Sequence, residues 1–350
     1  QRLWKVRARK VILATGAIER PMVFSNNDRP GIMLASAVRT YINRFAVSCG
    51  KRAVVYTNND GAYNTAIDLL RAGVKVEAVV DQRAEPSGEL PDIVRELGVK
   101  IFSRCCVVNT LGRNRLNAIK ISEINEAGDG YVGDFSRLQC DLLCVSGGWN
   151  PTIHMYSQSG GTLRYDNKKT CFVPRTATQE ISVIGAANGT FTSQNCITES
   201  VNVGRLAAQS FGAANPETPE TLSVDVSSEE GIEPIWRLPE IYKGEKSFVD
   251  LHNDVAVSDI ELAVREGYAG IEHLKRYTTA GMGPDQGRTG NISALAILGT
   301  LTGLPIPSVG TTTFRPPFTP VAIGALGGRS VGKHFMPLRA TPMHRWNLDH

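Results

Sequence analysis

Lys10-Val11-Ile12-Leu13-Ala14-Thr15-Gly16-Ala17 decides how this 350-residue chain is read. An apolar run too short for a helix, ending in small residues, reads as a buried strand whose end lets a ligand or another backbone approach closely. The same pattern returns at Ile181-Ser182-Val183-Ile184-Gly185-Ala186-Ala187. Between the two lies a βαβ unit. Arg52-Ala53-Val54-Val55-Tyr56 is strand-like, Asn58-Asn59-Asp60-Gly61 is a turn, and Ala62 to Arg71 is a helix closed by Gly73. Val74 to Val80 is the next strand, with Asp81 at its end. Strands alternating with short helices predict an α/β fold with a parallel sheet. Strands near 105–110, 116–124 and 137–145 predict an antiparallel meander laid on that sheet. Further strands are predicted at 3–6 and 99–102, and helices at 35–45, 90–97 and 192–211.

Composition narrows the function classes. Apolar residues make up 42% of the chain, enough for ordinary cores, and net charge is only +4. Lys and Arg are scattered, so neither nucleic acid nor a membrane surface is expected as a partner. No apolar run approaches the ~18 residues of a spanning helix, and the N-terminus lacks the order of a signal peptide. The seven cysteines, at 49, 105, 106, 140, 144, 171 and 196, form no C-x-x-C. They read as reduced, packed thiols in a cytoplasmic protein. Residues 213–245, rich in Pro, Glu, Ser and Thr, read as a linker. Short helices at 258–267, 271–277 and 291–301 form a compact module after it, and 303–350 reads as an extended connector.

The first 212 residues resemble the two-dinucleotide-domain fold of glutathione-reductase-like flavoproteins. Ala14-Thr15-Gly16 and Gly185-Ala186-Ala187 stand where that fold ends two strands of its split first domain, and the second domain is inserted between them. The resemblance places the first domain's phosphate loop upstream of Gln1. The inserted domain should carry its own loop of glycines, but Thr57, Asn59 and Ala62 occupy the three positions. The missing glycines permit a tight turn and a close approach to pyrophosphate, and Asp60 adds negative charge beside a helix N-terminus that would otherwise favour an anion. The inserted domain is therefore expected to be a scaffold. Asp81 stands near a ribose-acid position and reads as a surface residue ending its strand. The first domain is the better dinucleotide site, with Ala14, Thr15, Gly16, Gly185, Ala186, Ala187 and the helix start at Thr192 as its candidate residues. The plainer reading is close packing by small side chains.

Residues 248–290 resemble the small helical module that holds a two-iron cluster in amine and opine dehydrogenase subunits. Gly281-Met282-Gly283-Pro284-Asp285-Gln286-Gly287-Arg288-Thr289-Gly290 preserves the frame of that motif. Such a cluster is held by four thiolates, and here the four positions are Asp250, His252, Asp285 and Gly290. A module packed and hydrogen-bonded in place of its cluster is expected, with no metal. With Thr311-Thr312-Thr313-Phe314-Arg315-Pro316-Pro317-Phe318 and Arg339-Ala340-Thr341-Pro342-Met343-His344 added, the whole chain resembles the internal part of the alpha subunit of heterotetrameric sarcosine oxidases.

That resemblance implies an α/β chain of two nested dinucleotide-binding domains followed by a cluster-type module without a cluster. The expected boundaries are 1–48 with 146–212 for the first domain, 49–145 for the inserted one, 213–245 for the linker, 246–302 for the module and 303–350 for the connector. A folate-binding, aminomethyltransferase-like domain is expected just after Trp346. The family demethylates sarcosine oxidatively, giving glycine, hydrogen peroxide and formaldehyde or 5,10-methylenetetrahydrofolate. The resemblance implies NAD in the first domain, FMN at the interface with a partner, FAD and folate elsewhere in the complex, and beta, gamma and delta subunits as partners. Lys275, Arg276, Thr278, Thr279, Thr312, Thr313 and Arg315 are the candidates for the FMN-facing surface, because guanidinium, ammonium and hydroxyl groups suit a phosphate. A solvated basic turn is the plainer reading. No residue is assigned to catalysis. The alternatives are a related opine or amino-acid dehydrogenase subunit, a hydrogen cyanide synthase subunit, or a non-catalytic scaffold.

Overall fold

The structure, a computed structural model, describes residues 2–213, 232, 234–241, 244–328 and 339–350. The chain runs through β1 (Val11–Leu13), β2 (Ala17–Glu19), β3 (Ile32–Leu34) and α1 (Ala35–Phe45). The βαβ unit follows as β4 (Arg52–Thr57), α2 (Tyr63–Arg71), β5 (Lys75–Asp81), α3 (Glu89–Glu96) and β6 (Ile101–Phe102). The meander is β7 (Cys105–Leu111), β8 (Ala118–Ile124) and β9 (Tyr131–Gln139), after which β10 (Leu142–Ser146) returns to the sheet. That sheet is parallel, in the order β3-β10-β4-β5-β6.

Why β4 and β10 read as unbroken apolar runs is now plain: both their faces are covered. Side chains alternate across a strand, and here Ala53, Val55, Leu142 and Cys144 pack with Val38, Tyr63, Ala66 and Leu69 of α1 and α2. Val54, Tyr56, Leu143 and Val145 pack on the other face with Val107, Ile119 and Ile121 of the meander. The strand expected over 137–145 is in fact β9 and β10. The break falls at Asp141, whose carboxylate accepts the amides of Lys51 and Arg52 at 2.9 Å each. β3 and α1 lie upstream of residue 49, yet β3 pairs with β10 at one end of the sheet and Val38 of α1 packs in its core. Residues 3–6 lie in no strand and are exposed.

β2 pairs antiparallel with β11 (Trp149–Pro151) in a two-stranded ribbon joining the two nested units. After α4 (His154–Gln158) come the hairpin β12 (Thr162–Asp166) and β13 (Cys171–Thr176), then β14 (Ile181–Val183) and α5 (Ser193–Ser210). β14 pairs in parallel with β1, Leu13 against Val183. α5 is rich in small residues, which suit close packing on a sheet, but none of its side chains is fully buried, and Val11 and Ile12 of β1 are exposed.

Of the expected linker, 214–231, 233, 242 and 243 lie outside the described residues. Its later part packs rather than wanders: Ile235, Leu238 and Ile241 lie against the meander core. The module is β15 (Phe248–Asp250), β16 (Val255–Ala256), α6 (Val257–Arg265), α7 (Ile271–Thr278) and α8 (Asn291–Thr302), within two residues of the predicted helix ends. α8 is apolar on every side because Ile292 to Gly299 are all buried. Residues 329–338 of the expected connector lie outside the described residues, and the rest includes short helices α9 (Ile306–Val309), α10 (Ile323–Gly327) and α11 (His344–Asp349). All seven cysteines are free. Among the described residues no helix is long and apolar enough to cross a membrane.

Candidate functional site

The parallel pairing of β1 and β14 delivers Ala14-Thr15-Gly16 and Gly185-Ala186-Ala187 to the same end of adjacent strands. In open α/β folds that end, beyond the strand carboxyl termini, is where dinucleotides bind. Ala14 and Thr15 are exposed, Gly16, Gly185 and Ala186 are half-buried, and Ala187 is buried. Gly16 has φ 72° and a side chain there would meet nothing within 4 Å, so its backbone faces open space. The Thr15 hydroxyl donates to the Thr152 carbonyl at 2.7 Å, and the Gly16 carbonyl accepts the Thr152 amide at 2.8 Å. Both bonds fix the shelf to the segment after β11. Thr192 caps α5 by accepting the Asn195 amide. Sequence reasoning missed Glu199. Its carboxylate accepts the Gly185 amide at 2.8 Å and the Asn188 side chain at 2.6 Å. It brings negative charge to the shelf and takes a donor that a phosphate would want.

The corresponding crevice of the inserted domain is filled from within. Thr57 Oγ1 donates to the Asn59 carbonyl and accepts the Asn59 amide, at 3.0 and 3.1 Å. Asn59 Nδ2 reaches across to the Ser146 carbonyl and hydroxyl at the end of β10. Asp81 is not the surface residue its position suggested. It is fully buried, accepts Tyr63 Oη and Arg83 Nη2 at 2.8 Å each, and also takes the Arg83 amide. Arg83 further pairs with Asp60 at 2.8 Å. Although burial opposes its charge, hydrogen bonds to and attraction from Asp81 and Asp60 raise the Arg83 pKa above its usual value. A ribose would have to displace this ion pair.

In the module, Asp250, which stands at the first of the four cluster positions, makes itself a hub. Oδ1 accepts the amides of His252 and Asn253, and Oδ2 accepts Asn253 Nδ2 and the Gly281 amide, all at 2.8–3.1 Å. At Gly290 a β-carbon would lie 2.6 Å from the Val249 carbonyl, so no side chain fits at the fourth position. Burial raises the pKa of Asp285, with nearby Asp250 adding to it.

The proposed cationic segments meet at one place. Burial lowers the Lys275 pKa, and of its charged neighbours Glu272 opposes the shift while Arg315 and Arg276 add to it. Arg276 and Arg315 are exposed, as are Thr279 and Thr313. Arg276 bonds the Glu272 carbonyl and pairs with its carboxylate at 3.2 Å. Gln286 holds the Arg315 backbone by both ends of its amide, at 2.7 and 2.8 Å. Two candidates turn inward. Thr278 Oγ1 donates to the Leu274 carbonyl at 2.9 Å, and Thr312 is buried with its hydroxyl accepting Asn291 Nδ2 at 3.4 Å.

Residues 244–329 match the sarcosine oxidase A3 domain family. Over 99% of its length the chain aligns with the sarcosine oxidase alpha subunit of Corynebacterium sp. (strain P-1), with 39% identity over 357 residues. End to end, this chain is similar to sarcosine oxidase alpha subunits. The alpha subunit of Rhizobium meliloti (strain 1021) is 38% identical over 353 residues and covers 100% of the chain. The chain spans 36% and 34% of the lengths of these two subunits. L-proline dehydrogenase from P. horikoshii shares the fold, with a TM-score of 0.65 at 20% identity over 91% of this chain and 58% of that one. The Asp250 hub and all of Lys275, Arg276 and Arg315 fall inside the stretch matching the sarcosine oxidase A3 domain.

Proposed function

We propose that this chain is the nucleotide-binding and partner-facing part of a sarcosine oxidase alpha subunit. The assembled enzyme is then an oxidoreductase acting on a CH–NH bond with oxygen as acceptor. Sarcosine, oxygen and water give glycine, formaldehyde and hydrogen peroxide, or the one-carbon unit passes to tetrahydrofolate. The observation that carries this reading is the open shelf at Ala14-Thr15-Gly16 and Gly185-Ala186, in a chain similar to alpha subunits along its whole length.

NAD fits the shelf in a particular sense. Gly16 has open space where a side chain would lie, which allows close approach, and the Glu199 carboxylate suits a ribose hydroxyl rather than a phosphate. Ala14, Thr15, Ala186 and Ala187 leave room, and Thr192 and the start of α5 border it. FMN fits the cationic surface: Lys275, Arg276 and Arg315 outnumber Glu272 and can hold a phosphate, with Thr279 and Thr313 exposed beside them. When bound there, FMN supplies electron transfer to oxygen, while this chain's residues bind and orient it against the beta subunit. Gamma and delta subunits complete the assembly. The Asp250 hub supports a module braced by hydrogen bonds instead of a cluster.

The filled crevice at Thr57, Asn59, Asp81 and Arg83 supports a scaffold role for the inserted domain alone. The direct test is sarcosine-dependent peroxide formation by the full-length protein co-expressed with its neighbouring subunits. Peroxide with sarcosine supports the proposal. Oxidation of an opine or of glycine, with none of sarcosine, replaces it with one of the sister activities.

A further inference from the structure

Between the β2–β11 ribbon, α8 and the segment 311–318 lies a pocket of about 50 Å³, walled by Ile18, Ile153, Phe172, Leu295 and Phe314. It belongs to neither the NAD shelf nor the cationic surface. Among the described residues, three polar side chains face it with unmet hydrogen-bonding capacity. His154 is only 4% exposed and neither ring nitrogen has a partner. Its ring is held against Phe314, centroids 3.8 Å apart, and edge-on to Phe318 at 5.2 Å. Asn150 gives its N–H to the Arg288 carbonyl at 3.2 Å, and its Oδ1 is left without a donor. Arg288 donates through Nη2 to the Phe318 carbonyl and lies 4.0 Å over the Phe318 ring, yet its Nε has no acceptor. Among the described residues, Arg288 forms no ion pair.

Buried polar groups in folded proteins are nearly always partnered, so a cluster of orphans around one cavity calls for an occupant. The orphans define its chemistry. Arg288 Nε is a charged donor and asks for an anionic acceptor. Asn150 Oδ1 only accepts and asks for an N–H or O–H. His154 is held neutral, since burial and then Arg288 lower its pKa to about 4. It therefore offers one donor and one acceptor. Water satisfies each atom singly but brings Arg288 no counter-charge; Asp285 feels the Arg288 charge, but among the described residues the two form no ion pair. A molecule carrying a carboxylate and an ammonium side by side satisfies all three residues.

We propose that this pocket binds a small α-amino acid of about glycine's size, its carboxylate on Arg288 Nε and a His154 N–H, and its ammonium on Asn150 Oδ1. By comparison with a cavity of about 150 Å³ that holds benzene, each non-hydrogen atom needs roughly 25 Å³. The enclosed space thus takes about two such atoms, the carboxylate oxygens, and the rest of the molecule sits at the pocket's mouth. Phe172 and Phe314 leave no room for a large side chain.

Titration calorimetry of the full-length protein with glycine, acetate and methylammonium tests this. Glycine is expected to bind at least tenfold more tightly than either half-molecule. Asn150→Leu should remove that advantage while leaving acetate binding as it was, and Arg288→Met should abolish both. If Arg288→Met does not fold, the comparison of glycine with acetate on Asn150→Leu decides alone. No glycine heat, glycine no tighter than acetate, or binding indifferent to Asn150→Leu would each overturn the proposal. None of these outcomes bears on NAD or on sarcosine oxidation.

Discussion

At Asp81 and Arg83 the inserted domain places an ion pair where its fold relatives place a ribose. Both side chains are 5% exposed or less, so removing Asp81 leaves Arg83 buried with Asp60 in place of two counter-charges and strips Tyr63 of its acceptor. Asp81→Asn is expected to destabilise the chain by about 3–5 kcal/mol in denaturant unfolding. Asp250 stands in a similar position, since four groups converge on its carboxylate. Asp250→Ala should cost about 2–4 kcal/mol by the same measurement, because the amides of His252, Asn253 and Gly281 lose a charged acceptor. His154 sets a pH dependence. Its folded pKa of about 4 lies below the ordinary 6.5, so the unfolded chain takes up the proton first as pH falls. The stability it contributes is complete above pH 6.5 and is lost as pH falls towards 4, up to about 3 kcal/mol in all. His154→Phe should remove that part of the slope in urea melts compared at pH 7 and pH 4.5. Of these three roles only that of Asp250 was legible in the sequence, as a residue standing at a cluster position in a module expected to be hydrogen-bonded instead. Asp81 looked like a strand-ending surface residue because nothing in the order of residues says that Arg83 folds back on it. His154 carried no signal, since its partners Arg288, Phe314 and Phe318 are more than 130 residues away.

Elements were more legible than residues, and the exceptions are physical. α1, α2 and the module helices follow their apolar spacing closely, and α1 spans the predicted 35–45. β9 and β10 read as one strand because a single Asp141 is a weak break between Leu138 and the apolar run from Leu142. It is the Asp141 carboxylate, turned onto the Lys51 and Arg52 amides, that makes the break. The shelf was legible as two strand ends rich in small residues, but Glu199 was not, because its role depends on a helix turn facing Gly185. The cationic surface was read as two separate segments, and it is Gln286 that ties the 315 backbone to the module. A prediction belongs to this scale. Replacing Lys275 and Arg315 together by alanine should lower FMN retention by the assembled enzyme at least tenfold, read as flavin released on gel filtration, and more so in high salt. Unchanged flavin content would move the phosphate elsewhere.

Across the whole molecule, the proposed division of labour is one open shelf for a nucleotide, one crevice closed by its own side chains and one helical module braced around Asp250. The shelf should make NAD a stabilising ligand of the full-length protein, by about 2.7 kcal/mol at a hundred times its dissociation constant. Gly16→Val forces a branched side chain into a left-handed backbone position and into the shelf, and should abolish that stabilisation in a thermal melt. The most direct measurement is the cofactor content of the full-length protein, co-expressed with its neighbouring subunits and extracted under denaturing conditions. The account predicts NAD and flavin with neither iron nor acid-labile sulfide. Iron with sulfide in stoichiometric amounts, or flavin without NAD, would contradict it.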